Sequence, residues 1–458
     1  MAKQLTIMGA RTFKASDPVL SYPARIVAFD AETMDLVDAT WQYADSSTSV
    51  QGKEFLDLYP ALLLNVSAEG YDPVIINSNN INFIGQIGVV AIKDDKTVAQ
   101  WGDVQFTNKY FLDPADNHDV CQVTTSINCA FALRTDSTLR AWGEEQYGGV
   151  LPADVYSRTD ILRSSGFPYA GLAQGQSAPY LASWGMNSQG QYAIPENIQA
   201  MDNIVQVLGS MSRAVLNANG QVFAWGDAEE GGLVPADIAA LSDITMLFGN
   251  DYSFTALRSN GQLVAWGLAE NGGALPDDIA ELTDIVRVFP GATNYVAQRA
   301  NGNLVAWGSD AESIAIPADI AAMTNIVDVK YVSTPFGQSA FVALRDDGTV
   351  VSWGSANTGV VPVPEGVDNV AVICVAPEYC LALKKDGTVM GWGSNDVFND
   401  PIVGKLTDVK AIYAEADVAV ALKGDNTIVV WGNALHGGSM LEVPDGVQGN
   451  ISYTVASA

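Results

Sequence analysis

Few residues in this chain of 458 have the types and spacing that catalysis or metal binding requires. The two histidines, His118 and His436, lie far apart in the sequence, in the loops that follow the first and the last Trp-Gly pair. No Gly-x-Ser-x-Gly, His-Glu-x-x-His or phosphate-binding glycine-rich motif occurs. The Asp-rich turns lack the downstream glutamate of a calcium loop, and acidic pairs are too frequent for one to be singled out. We therefore predict a protein that is not an enzyme, with no catalytic residue, no metal and no cofactor.

The charge of the chain narrows the classes of partner. The sequence has 52 acidic and 23 basic residues, which gives a formal net charge of -29. Nucleic acids and anionic lipid surfaces attract Lys and Arg, so this balance opposes both. No apolar run approaches the ~18 residues that a membrane-spanning helix needs. We expect the partner to be another protein, basic at the contact, with no nucleic-acid binding and no membrane insertion.

The cysteines and the N-terminal sequence indicate where in or outside the cell the protein is expected. Cys121 and Cys129 form one close pair and Cys374 and Cys380 another, each across a predicted strand-turn-strand. A disulfide in each hairpin is one interpretation, and small buried core residues are the favoured one. The N-terminal stretch has no apolar segment long enough for a secretory signal. The expected location is the cytoplasm by default, or an extracellular or virion-associated place reached without a leader.

The tryptophans could bind sugars, because a sugar ring stacks on an indole, but their spacing favours packing. Nine of the ten precede a glycine, and successive Trp-Gly pairs are 39 to 46 residues apart. Each stands at the end of a predicted strand, which is a regular position in a repeated unit. We predict that these nine are structural: Trp101, Trp142, Trp184, Trp225, Trp266, Trp307, Trp353, Trp392 and Trp431.

Each unit reads as three short strands and a connector. In the fifth, "ITMLFG" (244–249), "SFTALR" (253–258) and "QLVAW" (262–266) are rich in β-forming residues. Asn260-Gly261 suits a two-residue hairpin turn, in which both residues have positive φ. A polar loop follows Trp-Gly, and then a proline and a segment such as "PADIAAL" that suits one helical turn. Units this small cannot bury their own faces, so stacking at a period of ~40 residues predicts a β-propeller.

The loop between the first and second strands varies most from unit to unit. All copies of this loop should emerge on one face of the ring, because they occupy one place in the repeat. Unit seven has the longest version, "YVSTPFGQSAF". Aromatic residues there are either caps on the blades or a partner-binding surface, since such rings are enriched at interface hot spots. The partner-binding hypothesis concerns Phe167, Tyr169, Tyr252, Tyr295, Tyr331, Phe336 and Tyr379.

The stretch "GNDYSFTALRSNGQLVAWG" (249–267) resembles the repeat of the regulator of chromosome condensation family. That repeat carries Gly-x-x-His-Ser, Ala-Leu, Asp-Gly and Trp-Gly, and here the histidine position holds Tyr252. The short units are also similar to the propeller-type β-lactamase inhibitory protein, which pairs Trp-Gly with a later Val-Pro-x-Gly like "VPEGV" and "VPDGV". The resemblance implies a propeller; members usually close seven blades, whereas nine units occur here. The matching residues are Gly249, Ser253, Ala256, Leu257, Gly261, Trp266 and Gly267.

The first part of the chain resembles transthyretin-like, carboxypeptidase-regulatory-type modules. Residues 23–74 alternate apolar and polar positions between turn signals, as an antiparallel sandwich does. Met34 stands where those modules usually have glycine. The resemblance implies a β-sandwich that acts as a spacer or docking piece. The residues that fit are Asp30, Ala31, Thr33, Val37, Ala39, Gly52, Phe55, Ala68, Gly70, Tyr71 and Pro73.

We therefore predict an all-β protein with an N-terminal β-sandwich (1–78) and a propeller of about nine short repeats (79–458). The tail, 451–458, is predicted to add a strand to blade 1 and so latch the ring. The favoured function is a non-enzymatic protein-binding scaffold that uses one face, as an inhibitor, an adhesin or a targeting component. The alternatives are a guanine-nucleotide exchange-type regulator, and a carbohydrate-binding propeller or propeller enzyme.

Overall fold

The computed structural model describes residues 2–11, 24–44, 46–57, 59–60, 62–78, 80–85, 87–107, 109–167, 169–188, 192–210, 212–334, 336–394 and 396–455. Seven strands come first: β1 (Leu5–Met8), β2 (Ala24–Asp30), β3 (Ala39–Tyr43), β4 (Val50–Gly52), β5 (Glu54–Asp57), β6 (Leu64–Ser67) and β7 (Val74–Ile76). They pair as a three-stranded sheet, β1-β2-β5, and a four-stranded sheet, β4-β3-β6-β7, and all their ladders are antiparallel. We call these two sheets together the N-terminal sheets.

Nine three-stranded antiparallel sheets follow, one for each Trp-Gly unit, and they are blades 1 to 9 of a β-propeller. The prediction of an all-β fold with a propeller is thereby confirmed. Blades 1 to 3 contain β8 (Ile81–Ile84), β9 (Gly88–Ile92), β10 (Val98–Gly102), β11 (Val120–Ser126), β12 (Cys129–Arg134), β13 (Leu139–Gly143), β14 (Ile161–Phe167), β15 (Ala170–Gly175) and β16 (Leu181–Gly185). Blades 4 to 6 contain β17 (Ile204–Gly209), β18 (Arg213–Asn217), β19 (Val222–Trp225), β20 (Ile244–Gly249), β21 (Ser253–Arg258), β22 (Leu263–Gly267), β23 (Ile285–Pro290), β24 (Asn294–Arg299) and β25 (Leu304–Gly308). Blades 7 to 9 contain β26 (Ile326–Ser333), β27 (Ser339–Arg345), β28 (Val350–Gly354), β29 (Val370–Ala376), β30 (Tyr379–Lys384), β31 (Val389–Gly393), β32 (Val409–Glu415), β33 (Val418–Lys423) and β34 (Ile428–Gly432).

The hydrophobic core is divided among the spaces between neighbouring blades. The cluster between blades 4 and 5, for example, joins Leu208 and Leu216 of one blade to Phe254 and Trp266 of the next. The cluster between blades 9 and 1 also contains side chains of both N-terminal sheets, Trp41 among them. Each blade therefore depends on its two neighbours for burial of its apolar faces, and the N-terminal sheets share a core with the ring. The division of the chain at residue 78 and the transthyretin-like resemblance stay predictions.

The tryptophan of each unit packs against the preceding blade. All nine are 1–4% exposed. In four blades the indole Nε1 donates a hydrogen bond to the carbonyl of a glycine in the preceding unit, at 2.8 to 3.1 Å. One of these bonds runs from Trp101 of blade 1 to Gly437 of blade 9, so the last blade meets the first as the others meet each other. The four donor and acceptor pairs are Trp101–Gly437, Trp184–Gly148, Trp266–Gly231 and Trp307–Gly272.

The glycine that accepts this bond is the first of a Gly-Gly pair. Gly231 and Gly272 have φ of 91° and 96°, a left-handed conformation that glycine adopts without strain. The second glycine of each pair, such as Gly273, lies so close to the glycine of its own Trp-Gly that a Cβ would overlap it. The sequence shows these pairs, and the structure gives the reason for them: the first glycine leaves room for an aromatic ring of the next blade, and the second permits close approach of two backbone segments.

The turns between second and third strands differ from the prediction. Gly261 has positive φ (80°), but Asn260 does not, so the turn is not a two-residue hairpin with both residues left-handed. Five residues, 258–262, separate the last paired residues of β21 and β22. The Asn260 side chain instead accepts a hydrogen bond from the backbone N–H of Gln262 at 3.0 Å. The Asp and Asn residues at this position therefore fix the turn through side-chain-to-backbone bonds, as in an Asx turn.

Short helices join the blades, and the predicted helical turn after the proline is confirmed. The helices are α1 (Val104–Thr107), α2 (Ala153–Tyr156), α3 (Glu196–Gln199), α4 (Ala236–Ala239), α5 (Asp277–Ala280), α6 (Ala311–Ile314) and α7 (Ala318–Ala321). In α2, α3, α4, α5 and α7 a proline precedes the first helical residue, and one apolar side chain such as Ile238 is buried. A π-helical turn covers Ala228–Gly232, and 3-10 turns cover Glu145–Tyr147, Met186–Ser188, Ala269–Asn271, Ala356–Thr358, Asp396–Asn399, Val403–Lys405 and Ala434–His436.

The C-terminal tail binds to the N-terminal sheets rather than adding a strand to blade 1. Thr454 bridges to Ile76 of β7, and the Tyr453 hydroxyl donates to the carbonyl oxygen of Gly9 at 2.7 Å. Asp94 in a turn of blade 1 accepts from the backbone N–H and the hydroxyl of Ser452. The predicted strand in blade 1 is therefore wrong: the tail bridges to the edge strand β7, and Asp94 in a turn of blade 1 contacts it through hydrogen bonds.

We expect Trp266→Ala to lower the free energy of unfolding by ~3–5 kcal/mol, because it empties an inter-blade core and removes the bond to Gly231. The measurement is the midpoint of denaturant unfolding followed by circular dichroism. Tyr156→Ala is the matched control, since this ring is 49% exposed on α2. An unchanged midpoint for Trp266→Ala, with a loss of sugar binding instead, would contradict the packing role.

Truncation after Asn450 should lower the melting temperature by several degrees or more, because Ile451 and Tyr453 are buried at 0% and 5% exposure and each contributes roughly 1.5–3 kcal/mol. Limited proteolysis should then cut the N-terminal sheets faster than the blades, since the tail binds those sheets. Tyr453→Phe, which keeps the ring and removes only the bond to Gly9, should cost about 1 kcal/mol. A truncated chain that melts like the full one would show that the tail adds nothing.

Candidate functional site: the loop face and the central cleft

The ring has two chemically different faces. The first and third strands of a blade run in the same direction, so the first-to-second-strand turns and the segments after Trp-Gly emerge together. We call this side the loop face. The turns between second and third strands lie on the other side, which we call the hairpin face. The turns between the strands of each blade therefore lie on one or the other of these two faces.

Three of the aromatic residues proposed to bind a partner are buried, and for them the prediction is wrong. Phe167 is 3% exposed, and Tyr295 and Tyr379 are 0% exposed. The Tyr295 ring stacks on Trp307 with centroids 5.1 Å apart, and its hydroxyl donates to the carbonyl oxygen of Ser253 in the preceding blade at 2.8 Å. The Tyr379 hydroxyl donates to the carbonyl oxygen of Val418 in the next blade at 3.1 Å. These rings hold blades together and are not accessible to a partner.

A register signal in the sequence identifies one of these buried rings, Tyr295, as a core residue. Phe254, Tyr295 and Phe341 each stand twelve residues before the tryptophan of their unit. Each pairs with that tryptophan across the second and third strands, and each stacks on it. An aromatic residue at this distance therefore belongs to the core. Tyr252 stands fourteen residues before its tryptophan, in the turn.

Three further aromatic residues are half-buried. Tyr169 stacks on Tyr147 with centroids 5.2 Å apart, and Tyr331 packs edge-on against Phe341 at 5.5 Å. Tyr252 is partly exposed in its turn. These rings leave one side open at the surface and are supported by the blade on the other.

Phe336 is the most exposed of the seven, at 85%. It lies in the long turn of blade 7, where the backbone N–H of Thr334 donates to the carbonyl oxygen of Gln338 at 2.9 Å. The backbone N–H of Gly337 donates to the carbonyl oxygen of Thr334, and the Thr334 hydroxyl donates to Gln338 Oε1 at 2.5 Å. The ring thus projects into solvent from a hydrogen-bonded turn. Its exposure contributes nothing to the packing of the blade.

The loop face is acidic. In the described part of the first-to-second-strand turns and of the eight residues after each Trp-Gly pair, the basic side chains are Lys109 and His436, and His436 is 2.9 Å from Asp417. Burial, together with the carboxylates of Asp227, Asp251 and Glu229, raises the pKa of Glu230, which shows that these groups repel one another. The acidic residues of this face are Asp103, Glu144, Glu145, Asp227, Glu229, Glu230, Asp251, Glu270, Asp310, Glu312, Glu378 and Asp417.

A cleft of about 830 Å³ lies at the centre of the ring. The N-terminal sheets cover the first strands of blades 8, 9 and 1, whose side chains are almost all buried. On the opposite side, the bulge residues Leu162, Val205 and Val286 are 51%, 38% and 48% exposed. The cleft runs between Tyr59 and Leu62 of the N-terminal part and the first strands of the blades. Sequence reasoning missed it, because no local pattern shows which blades the N-terminal sheets cover.

Ion pairs and backbone bonds hold the N-terminal sheets in the channel. The Arg25 guanidinium donates to the carbonyl oxygen of Ala371 at 2.7 Å and to Glu54 at 2.5 Å. Glu54 also accepts from Arg287 of blade 6. Burial raises the pKa of Glu54 and the two guanidinium groups lower it, with a net shift downward. The backbone N–H of Gly9 donates to the carbonyl oxygen of Lys410 at 3.0 Å.

The histidines and cysteines have ordinary surroundings. His118 Nδ1 is 2.8 Å from Asp119 Oδ2, and the described residues contain no group of three or more His, Cys, Asp or Glu side chains placed to hold a metal. The four cysteines are free, as the favoured interpretation predicted, and burial raises the pKa of the Cys129 thiol to about 12. Within the described ranges, none of the helices has the length and apolar character needed to cross a membrane.

Comparison with known proteins finds similarity to solved structures. No model of a known protein family matches the chain, and no curated protein matches it. Solved structures similar to it include the ectodomain of the receptor kinase CR4 from Physcomitrella patens, at 17% identity over 64% of this chain and 78% of that one, with a TM-score of 0.37. Yeast RCC1 (Prp20), solved bound to Kap60, is 16% identical over 88% and 87%, with a TM-score of 0.32. The C-terminal domain of gp131 from bacteriophage phiKZ is 12% identical over 73% and 97%, with a TM-score of 0.35. No activity or partner is transferred from these proteins to this chain.

Proposed function

We propose that this protein is a non-enzymatic scaffold that binds another protein through the loop face of its propeller. The observation that carries the proposal is Phe336, a ring 85% exposed on a turn that is closed by hydrogen bonds among Thr334, Gly337 and Gln338. Exposing a phenylalanine is unfavourable for the free chain, and a turn that is already hydrogen-bonded reduces the backbone entropy lost on binding. Such a residue is suited to be the anchor of an interface.

The charge of the loop face supports a partner that is basic at the contact. Acidic side chains surround the anchor on neighbouring blades, among them Asp310 on blade 6 and Glu378 on blade 8. Such a surface accelerates the approach of a basic surface and repels an acidic one. The half-buried rings of Tyr169, Tyr252 and Tyr331 offer further apolar contact area. Tyr295 and Tyr379 take no part, because they are in the core.

The buried tryptophans count against the sugar-binding alternative. Indoles that are 1–4% exposed present no face on which a sugar could stack. The proposal therefore assigns the tryptophans to packing and the loops to binding.

We expect Phe336→Ala to weaken binding of the partner about 30-fold, which corresponds to ~2 kcal/mol for loss of an anchor, without changing the melting temperature. The partner is first captured by the wild-type chain, and the affinity of each variant for it is then measured by calorimetry. Tyr156→Ala is the control, because it removes an exposed ring far from the loop face and should leave affinity unchanged. Raising the salt concentration should weaken binding, since the contact is charged.

Two outcomes would contradict the proposal. Equal affinity of wild type and Phe336→Ala would show that the long turn of blade 7 is not the contact. A turnover activity abolished by one Asp, Glu or His substitution, with binding intact, would show that the protein is an enzyme.

A further inference from the structure

Arg163 lines the central cleft at the start of blade 3. It follows the bulge of β14, and its side chain reaches the next blade. Its Nε donates to Gln174 Oε1 at 2.7 Å, and its Nη2 donates to the carbonyl oxygens of Ile204 and Val205 at 3.3 and 3.2 Å. The guanidinium carbon is 5.8 Å from the centre of the Tyr59 ring. These contacts orient the guanidinium and leave it beside the cleft.

Arg287 occupies the same repeat position in blade 6. It too follows the bulge of its first strand, and its Nη1 donates to the carbonyl oxygen of Val327 in the next blade at 2.9 Å. In addition it pairs with the carboxylate of Glu54 from the N-terminal sheets. At Arg287 the next blade therefore binds one side of the guanidinium, and a carboxylate from outside the ring binds the other side.

At Arg163 the carboxylate is missing. No acidic oxygen of the described residues lies within 4.0 Å of its guanidinium, and the centre of the Tyr59 ring is 5.8 Å from the guanidinium carbon. The chain has 52 acidic residues for 23 basic ones, so an arginine without a carboxylate is unusual here. Burial lowers the pKa of Arg163, and the neighbouring Tyr59 side chain opposes this shift. Other arginines do pair with carboxylates: Arg11, Arg25, Arg134, Arg140, Arg158, Arg258, Arg287, Arg299 and Arg345.

We propose that the cleft beside Arg163 is a binding site for a carboxylate, carried by a small organic acid or by an acidic side chain of an extended peptide. The guanidinium binds the carboxylate in the way that Arg287 binds Glu54, since this pairing is strong and directional. Leu162 and Val205, 51% and 38% exposed beside it, contact the apolar part of the ligand. The site is independent of Phe336 and goes beyond the proposed protein-binding function.

The test titrates the full chain with two probes, acetate and an acetylated, amidated Val-Glu-Val peptide. Binding is read from the Nε–H signals of arginine in a protein labelled with ¹⁵N-arginine, and from calorimetry. We expect one arginine signal to shift in a saturable way with both probes and to be absent from Arg163→Gln. Arg163→Gln should weaken binding at least tenfold, and Arg258→Gln, which removes an arginine paired with Asp243, should not change it.

A second variant covers the case in which Arg163→Gln fails to fold. Tyr59→Glu supplies a carboxylate from the N-terminal sheets, as Glu54 does at Arg287, and should abolish binding of both probes. Saturable binding of the peptide but not of acetate would identify a protein side chain as the source of the carboxylate, and the reverse a small acid. Tighter binding of inorganic phosphate, or no shift with either probe, would overturn the proposal.

Discussion

The contact between each tryptophan and the preceding blade is the constraint on which the rest of the structure depends. A three-stranded sheet is too narrow to bury its own faces, so each blade needs a neighbour on both sides. The indole fills that space, and in four blades its N–H donates to the carbonyl of a glycine in the left-handed conformation, as between Trp266 and Gly231. Because Trp101 makes the same bond to Gly437, the ring closes without exchange of a strand.

Nine blades create a second requirement, which the N-terminal sheets meet. A ring of nine short blades encloses a wider channel than a ring of fewer blades, and apolar first strands would face water there. The N-terminal sheets cover the first strands of blades 8, 9 and 1, and they contact the bulges of blades 8 and 9. A bulge disrupts the ladder locally, and Arg25 and Gly9 donate to bulge carbonyls of blades 8 and 9. The cleft is the part of the channel that remains.

Local sequence patterns predict the features that recur in every unit, and the structure shows the features that occur once. The blades, the packing tryptophans and the helical turn after the proline follow from spacing within about 40 residues. The position of the N-terminal sheets rests on contacts such as Arg25 to Ala371, which are 346 residues apart, and no periodicity reports them. The aromatic residues fall between these cases. Their position near a loop predicts exposure, but their register to the tryptophan decides whether they are buried. The loop position thus predicts a surface role for Tyr295, whereas its pairing with Trp307 places it in the core.

The two faces of the ring also differ in charge. Ion pairs on the hairpin face make this difference larger than the count of acidic and basic residues suggests. On the hairpin face basic side chains lie beside acidic ones, either within one turn, as in Lys423 with Asp425, or between a turn and the start of the first strand, as in Arg299 with Asp284. Such pairs largely cancel each other beyond a Debye length of about 8 Å at physiological salt. On the loop face few basic groups are present to cancel the carboxylates. Under the proposed function, a partner that is basic at the contact is therefore attracted to the side that carries Phe336, although both faces contain many acidic residues.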